Sequence, residues 1–178
     1  MEILARQGVV SRSMAEAVSM RIKDLRKKAI QESFRDFSHA GHRLEYVATV
    51  RGVDYIDDAK ACNLNSTWYA LESMKRPVIW IAGGQGKDVD WASMRELVSS
   101  KVKHIVCLGT DNKAMIAAFG SAVGDIVETD SMMAAVQSAY LMASEGDVVL
   151  LSPACPSFDL FESYQDKGTQ FKKAVCEL

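Results

Sequence analysis

The sequence predicts an α/β fold in which a mostly parallel sheet carries helices on both faces and one antiparallel strand at its edge. Two patterns support this prediction. Helical and strand segments alternate four times between residues 65 and 151, as they do in parallel sheets. Before them, the apolar segments Leu44–Val50 and Val53–Asp57 are joined by Arg51-Gly52, which predicts a hairpin and hence the antiparallel edge strand.

The first 37 residues differ in charge from the rest of the chain. They contain eight Lys and Arg against five Asp and Glu, whereas residues 38–178 contain thirteen against eighteen. Residues 14–37 predict one amphipathic helix, which cannot bury its apolar stripe alone and must pack on another part of the protein. The stripe consists of Val18, Ile22, Leu25, Ala29, Ile30, Phe34 and Phe37. Ser38 to Gly41 then predicts a short linker.

The alternating elements follow in a definite order. Helices are expected near residues 65–75, 91–100, 111–119, 131–144 and 168–177, and strands over Pro77–Ala82, His104–Leu108, Ile126–Glu128 and Val148–Leu151. Because the carboxyl ends of parallel strands meet at one edge, the loops after residues 57, 82, 108 and 151 should lie together. Open α/β sheets bind ligands at that edge.

The segment Leu151–Asp159 is the most informative of these loops. It follows a buried-strand pattern and precedes Leu160–Tyr164, which predicts the start of a helix. Pro153 and Pro156 restrict φ and stiffen the turn, so its N–H groups and the Ser157 hydroxyl can face an acceptor. Helix N-termini favour anions, which makes a carboxylate or phosphate the expected ligand. The alternative is that Ser157 merely caps the next helix.

Gly83-Gly84-Gln85-Gly86-Lys87-Asp88 is a glycine-rich loop at the same predicted edge. It is not a Walker A motif, which would require Gly at position 81 and Ser or Thr at position 88, and it does not match G-x-G-x-x-G. Its glycines still allow close approach to a ligand, and Lys87 supplies a positive charge that can orient a small anion. The alternative is a turn with a solvated lysine.

Asp57-Asp58-Ala59-Lys60 places two carboxylates beside an amine. Strand alternation sends Asp57 and Asp58 to opposite faces, which disfavours a two-carboxylate metal or acid–base site. We favour the interpretation that one Asp contacts a hydroxyl, such as that of a ribose, while Lys60 contacts an anion. The alternative is a local Asp–Lys ion pair of little energetic value.

The histidines and Cys155 predict neither a metal centre nor a nucleophile. His39 and His42 are three residues apart, but Gly41 lies between them and no third ligand is evident nearby, so no metal is predicted. We interpret His42-Arg43 instead as an anion or nucleotide contact. Cys155 has no histidine placed to activate it and is expected to be a structural thiol.

Composition excludes several classes of protein. The net charge of −2 gives no electrostatic case for nucleic-acid binding, and no apolar run approaches membrane-spanning length. The N-terminus shows no signal-peptide pattern. The four cysteines are dispersed and none belongs to a C-x-x-C pair, which predicts reduced thiols in a cytoplasmic protein.

Four segments, in this order, resemble the Mur ligase family of peptidoglycan synthesis, and within it the ligases that add D-glutamate. They are His42-Arg43-Leu44-Glu45, Asp57–Asn63, Gly83–Lys87 and Leu151–Gly168. The resemblance covers essentially the whole chain. Residues 1–40 resemble the helical tail of the central ATP-binding domain and its linker, whereas residues 41–178 resemble the C-terminal glutamate ligase domain, whose fold is Rossmann-like.

The resemblance also implies roles for individual residues. It assigns D-glutamate binding to Lys87, Ser157, Tyr164, Lys60, Cys62 and Phe158, and ATP binding to Arg43, Asp58 and His42. Cys62 stands where the family usually has a threonine whose hydroxyl helps to bind D-glutamate, and a thiol is a weaker donor. Gln85 and Pro156 replace the family's usual Asp and Ala without removing a charged contact.

The resemblance implies a reaction in which ATP phosphorylates the carboxylate of UDP-N-acetylmuramoyl-L-alanine, and the amine of D-glutamate then attacks the acyl phosphate. The sequence shows no P-loop, Mg²⁺ ligand set or UDP-binding domain. We therefore expect a fragment that has no catalytic residues, is inactive alone and acts with the missing central domain, where ATP and Mg²⁺ are used. The alternative is a stand-alone Rossmann-like nucleotide-binding or regulatory module, while the missing G-x-G-x-x-G disfavours an oxidoreductase.

Overall fold

The structure is a computed structural model that describes residues 16–17, 20–21, 41–84, 89–156 and 158–178. The chain divides into two compact units, residues 1–39 and 40–178. In the first unit, residues 16, 17, 20 and 21 are helical and exposed, and the rest of the predicted helix over residues 14–37 lies outside the described residues. No helix in the described part of the chain has the length and apolar character needed to cross a bilayer.

The second unit contains a six-stranded sheet in the order β1-β2-β6-β3-β4-β5. Strands β2 to β6 are parallel, and β1 pairs with β2 in the antiparallel sense at the edge, so the predicted sheet is confirmed. The strands are β1 (Glu45–Val50), β2 (Val53–Asp57), β3 (Val78–Ala82), β4 (Val102–Leu108), β5 (Asp125–Thr129) and β6 (Val148–Leu151).

Four α-helices and a short 3₁₀-helix connect these strands, and a fifth α-helix follows β6. They are α1 (Leu64–Ser73), the 3₁₀-helix Trp91–Met94 that continues into α2 (Arg95–Lys101), α3 (Lys113–Phe119), α4 (Met132–Met142) and α5 (Tyr164–Cys176). Each predicted helix after residue 60 is confirmed with small shifts at its ends.

The final helix required the largest correction. It begins at Tyr164 rather than near residue 168, and its N-cap is Ser163, whose hydroxyl accepts from the Asp166 N–H at 3.1 Å. The prediction that Leu160 starts a helix and the alternative that Ser157 caps it were therefore wrong. The sequence pattern did not predict the first turn of this helix, because Gly168 is a poor helix former. In the structure, tertiary contacts of Gly168 outweigh that preference.

Side-chain alternation along the strands divides the core into two layers. Helices α4 and α5 pack against the face that carries Tyr55, Ile79 and Leu151. Helices α1, α2 and α3 pack against the opposite face, which carries Trp80 and Leu150. Both faces of the parallel strands are thus covered, and for this reason β3 and β6 are buried along their whole length.

The chain changes face around β6. The connections that leave β2 and β3 lead to helices on one face, whereas the connection that leaves β6 leads to α5 on the other face. Because β6 lies between β2 and β3, a crevice opens at the carboxyl ends of these three strands. Doubly wound sheets bind ligands at such a switch point.

Trp80 connects the core to this crevice. Its ring lies in a cluster with Trp91 and Phe119, at centroid distances of 5.8–6.4 Å, and its Nε1–H donates to the Ser152 carbonyl at 2.8 Å. Trp80 is fully buried, so the indole contributes both packing and a hydrogen bond to the loop after β6.

Replacing Trp80 by Phe should lower the free energy of unfolding by roughly 1–3 kcal/mol beyond the cost of the smaller ring, because the buried Ser152 carbonyl loses its donor. Urea unfolding of Trp80→Phe would measure this cost, and Trp91→Phe in the same aromatic cluster is the matched control. Equal destabilisation by both variants would contradict a role for the Nε1–H bond.

Candidate functional site

Three loops meet at the carboxyl ends of β2, β3 and β6, as the sequence predicted. Four backbone hydrogen bonds tie these loops and strand ends together, which gives the crevice a rigid main-chain base. They run from the N–H groups of Asp58, Ser152, Ala154 and Gly83 to the carbonyls of Leu151, Ile81, Ala61 and Pro153, over 2.8–3.0 Å.

The loop after β4 is fastened to the same edge. The Asp159 carboxylate accepts from the N–H of Thr110 at 3.1 Å and from its hydroxyl at 3.3 Å. This contact joins residues that are 49 positions apart in sequence, and no local pattern pointed to it. It holds the far end of the Leu151–Asp159 segment against the end of β4.

Steric constraints explain why glycine occupies positions 83 and 84 in the predicted glycine-rich loop. Gly83 and Gly84 have φ values of +124° and +136°, which other residues rarely adopt. A Cβ on Gly83 would lie 2.9 Å from the Leu108 carbonyl oxygen, so only glycine allows β3 to end this close to β4. Lys87 lies outside the described residues, and its contact with D-glutamate stays a prediction.

Asp57 and Asp58 are both buried and face different partners, as strand alternation predicted. Asp57 lies 2.7 Å from His42 Nδ1, whereas Asp58 accepts from the Ser152 hydroxyl at 2.9 Å. That hydroxyl is also 2.9 Å from the hydroxyl of Thr67 on α1. Burial raises the pKa of Asp58 to about 7 against the opposing effect of the Ser152 hydrogen bond, so its carboxyl can accept or donate near neutral pH.

The predicted nucleotide residues Arg43 and Asp58 are brought together. The Leu44 N–H donates to Asp58 Oδ1 at 3.3 Å, and the positive charge of Arg43 acts to lower the pKa of Asp58. The third predicted nucleotide residue, His42, faces Asp57 instead and is mostly buried. Arg43 and Asp58 therefore lie close together, and the ring of His42 pairs with Asp57 rather than with Asp58.

A cavity of about 190 Å³ opens at the start of α5. Three predicted D-glutamate residues, Cys62, Phe158 and Tyr164, line it together with Pro156, Ser163 and Lys167. A fourth, Lys60, has its Nζ atom 5.6 Å from the centre of the Tyr164 ring. Ser157 lies outside the described residues, but both of its neighbours form part of the cavity wall. Three of the four predicted D-glutamate residues that the structure describes thus line one cavity, and the fourth lies near its wall.

Sequence reasoning missed Lys167 as a residue of this cavity. Its side chain is 2% exposed, and its Nζ lies 5.6 Å from the centre of the Phe161 ring. Burial lowers its pKa to about 8. The missed signal lies in α5, where Lys167 occupies the helical stripe that also contains the buried residues Phe171, Ala174 and Val175. A charged residue on an apolar stripe marks a position that packing alone does not explain.

The cysteines near the cavity are protonated thiols. Burial raises the pKa of Cys62 and raises that of Cys155 to about 12, and all four cysteines of the chain are free. The Cys62 thiol lies 3.6 Å from the Ala59 carbonyl, to which it donates. Neither thiol has the electropositive, exposed setting of a reactive cysteine, in keeping with the structural role predicted for Cys155.

Three side chains form a cluster with metal-ligand character that the sequence did not reveal. His42, Glu45 and Asp57 place one potential ligand atom each within 4.8 Å of one another, whereas His39 lies outside the described residues. The Lys172 ammonium lies 2.7 Å from Glu45 and 3.9 Å from Asp57. Because this ammonium already supplies positive charge to both carboxylates, the arrangement is an ion-pair network and does not fit a Mg²⁺ site.

The doubly wound fold, its switch point and the cavity beside it define an α/β domain of the Rossmann-like class. The family described as "Mur ligase, glutamate ligase domain" matches residues 42–155, and the chain belongs to this family. The fold is shared with a murein peptide ligase from Psychrobacter arcticus, which superposes with a TM-score of 0.56 at 12% identity over 78% of this chain and 30% of that protein.

Curated relatives are similar over nearly the whole chain. A protein from Porphyromonas gingivalis named UDP-N-acetylmuramoylalanine–D-glutamate ligase is 50% identical over 179 residues, and one of the same name from Christiangramia forsetii is 50% identical over 177 residues. These alignments cover 99% and 98% of this chain and 40% of each relative. The chain therefore spans about two fifths of the length of the relatives that it matches.

Replacing Lys167 by Met should raise the free energy of unfolding at pH 7 by roughly 1–3 kcal/mol, because the variant no longer buries an ammonium. The pKa of Lys167 is lower in the folded protein than in the unfolded chain, so the unfolded chain binds more protons between about pH 8 and pH 10. Wild-type protein should gain stability relative to the variant over that interval.

Urea unfolding of both proteins from pH 6 to pH 10 would measure this difference. Because Lys167 acts electrostatically on Cys62 and Cys155, both proteins should also carry Cys62→Ala and Cys155→Ala, so that the remaining cysteines and the tyrosines contribute equally and cancel in the comparison. A difference in stability that stays constant across pH 8–10 would contradict the buried-ammonium interpretation.

Proposed function

We propose that the chain is the C-terminal, substrate-binding part of an ATP-dependent ligase that adds D-glutamate to UDP-N-acetylmuramoyl-L-alanine in peptidoglycan synthesis. The observation that carries this proposal is the cavity at the start of α5. Its walls contain Cys62, Phe158 and Tyr164, with Lys60 beside them, in a chain that is half identical to relatives named for that reaction.

Amide formation from a carboxylate and an amine requires an activated carboxylate. In the proposed reaction, ATP transfers its γ-phosphoryl group to the carboxylate of UDP-N-acetylmuramoyl-L-alanine and ADP leaves. The amine of D-glutamate then attacks the acyl phosphate, and the tetrahedral intermediate collapses with loss of phosphate. The contribution of this domain is to hold D-glutamate so that its amine reaches the acyl carbon, which replaces an encounter in solution by an oriented approach.

D-Glutamate carries two carboxylates, and the cavity offers cations for both. Lys60 lies beside Tyr164 at the cavity, and Lys167 forms part of its wall. We assign Lys87 and Ser157 to the same ligand, because the loops that contain them follow β3 and β6 at the same edge of the sheet. Hydrogen bonds to charged groups contribute about 1.5–3 kcal/mol each, so two or three suffice to orient a small dicarboxylate.

We assign the nucleotide to the other side of the crevice. Arg43 and Asp58 lie together there, and in the assignment Asp58 accepts from a ribose hydroxyl while Arg43 contacts the base or a phosphate. The ion-pair network around Lys172 does not suit Mg²⁺, so we place the metal in the part of the ligase outside this chain. The free thiols are compatible with the reducing cytoplasm, where we place the enzyme.

The assignment predicts stereospecific binding by the 178-residue chain. Titration with D-glutamate should shift backbone amide signals in loops 57–63, 83–87 and 152–164, because all three loops border the proposed site. L-Glutamate at the same concentration is the control and should produce smaller shifts. Silence of all three loops at tens of millimolar D-glutamate would overturn the assignment in favour of a nucleotide-binding or regulatory module.

Replacing Cys62 by Thr should tighten D-glutamate binding about 2- to 10-fold, because a hydroxyl is a stronger donor than a thiol and one neutral hydrogen bond contributes about 0.5–1.5 kcal/mol. The dissociation constant from the same amide titration measures the effect. Cys62→Ser, which offers the hydroxyl without the methyl group, should bind as tightly as Cys62→Thr. Unchanged binding by both variants would place the side chain of residue 62 outside the D-glutamate site, and weaker binding by both would contradict its role as a donor.

A further inference from the structure

The backbone of the segment that contains Arg43 adopts an unusual conformation. His42 and Leu44, on either side of Arg43, have φ values of +62° and +44°. Left-handed conformations at such residues persist only where the surrounding structure imposes them. The segment therefore needs fixed contacts, and these contacts indicate what its shape serves.

Main-chain hydrogen bonds hold the segment on two sides. The His42 N–H donates to Glu45 Oε2 at 2.9 Å, and the His42 carbonyl accepts from the Lys60 N–H at 3.1 Å. The second bond connects the segment that carries Arg43 directly to the residue that carries the Lys60 ammonium. A displacement of His42 would thus move the backbone at both positions.

The His42 ring is held by a fully buried carboxylate. Its Nδ1 atom lies 2.7 Å from Asp57 Oδ2, and the other oxygen of Asp57 accepts from the Ala59 N–H at 2.9 Å. Lys172 on α5 lies 3.9 Å from Asp57 and forms an ion pair with Glu45 at 2.7 Å. The negative charge of Asp57 is therefore compensated from α5, and its position is fixed by the backbone of its own loop.

Helix α5 approaches this pair at Gly168, and only a glycine permits that approach. A Cβ on residue 168 would lie 2.1 Å from His42 Nδ1 and 2.7 Å from Asp57 Oδ2. Glycine inside a helix costs about 1 kcal/mol relative to alanine. In this helix the glycine makes room for a polar pair, because His42 and Asp57, rather than apolar core residues, occupy the space beside Gly168.

The His42 ring also contacts a residue of the cavity wall. The ring makes an edge contact with Tyr164 at a centroid distance of 6.3 Å, and Tyr164 in turn lies beside Lys60. The His42 ring thus contacts Tyr164 of the proposed D-glutamate site. The next residue along the backbone is Arg43 of the proposed nucleotide site.

We propose that His42, Asp57 and Gly168, which we call the His42 cluster, form a positioning unit that fixes the nucleotide-side segment relative to the D-glutamate cavity. The three residues act through Arg43, Lys60 and Tyr164. As a consequence for the reaction, the His42 ring would fix the position of the bound nucleotide relative to the bound D-glutamate. This proposal deepens the proposed function and, for its ligand-binding part, rests on it.

Gly168→Ala is the variant that tests the proposal most directly, because its methyl group collides with the His42–Asp57 pair and removes no polar group. In the ligand-free chain, the amide signals of Arg43, Lys60 and Tyr164 should shift, and the urea midpoint should fall although alanine normally favours a helix. Gly41→Ala is the matched control, because nothing lies within 4 Å of a Cβ at that position. It should leave these signals and the midpoint close to their wild-type values.

The double variant separates positioning by His42 from general disruption of α5. In a His42→Ala background the ring is absent, so Gly168→Ala should cause a much smaller further loss than it causes in the wild type. Equal losses in the two backgrounds would show that the methyl group acts independently of the His42 ring, and would overturn the proposal.

Ligand titrations complete the test with D-glutamate and ADP as separate probes. Gly168→Ala should weaken both at least about tenfold, since small misplacements of binding groups carry large costs, whereas Gly41→Ala should weaken neither. Loss of one ligand only, or of none, would overturn the coupling of the two sites. If wild-type chain binds neither probe, the proposed function fails, and the ligand-free shifts and the double variant still decide the His42 cluster.

Discussion

The structure depends on how strand β6 is held between its parallel neighbours β2 and β3. Its four residues are buried on both faces, and its carboxyl end is hydrogen-bonded to the ends of both neighbouring strands. The chain then turns to the opposite face of the sheet from the helices that follow β2 and β3. This change of face produces the crevice at the switch point, and the polar loops that follow β2, β3 and β6 border it.

Charged groups are buried around this crevice at a cost in stability that the rest of the core must offset. Asp57 and Asp58 are 0% and 1% exposed, and Lys167 is 2% exposed. All three have polar or charged surroundings. For Asp58 and Lys167 desolvation still dominates, since it raises the pKa of Asp58 and lowers that of Lys167. A fold optimised for stability alone would place apolar residues here, so the buried charges support the proposal that this part of the molecule binds ligands.

Helix α5 connects the two sides of the proposed site. Lys167 contributes to the cavity wall, and the next residue, Gly168, admits the His42–Asp57 pair. One turn further along, Lys172 forms an ion pair with Glu45 at the start of β1. Helix α5 therefore contributes a wall of the proposed D-glutamate cavity, packs against the segment that contains His42 and Arg43, and balances the charge of Glu45 in the hairpin. This explains why its apolar stripe is interrupted by a lysine and a glycine.

The sequence by itself determined the order of helices and strands, the antiparallel edge hairpin and the edge at which the polar loops meet. These features follow from periodicity, turn residues and the rule that parallel strands share an edge, all of which are local or topological. The resemblance then supplied Arg43, Asp58, Lys60, Cys62, Phe158 and Tyr164 as ligand-binding candidates, and the structure groups these around the crevice and the cavity.

Only the tertiary structure showed the buried position of Lys167, the pairing of His42 with Asp57 and the reason for Gly168. These contacts join residues far apart in sequence, such as Gly168 with His42 and Thr110 with Asp159. Their energies come from desolvation and steric exclusion, which depend on what surrounds a side chain. A lysine or glycine in a helical pattern has the same sequence signature whether it faces water, a cavity or a buried carboxylate, and for that reason the start of α5 was misplaced.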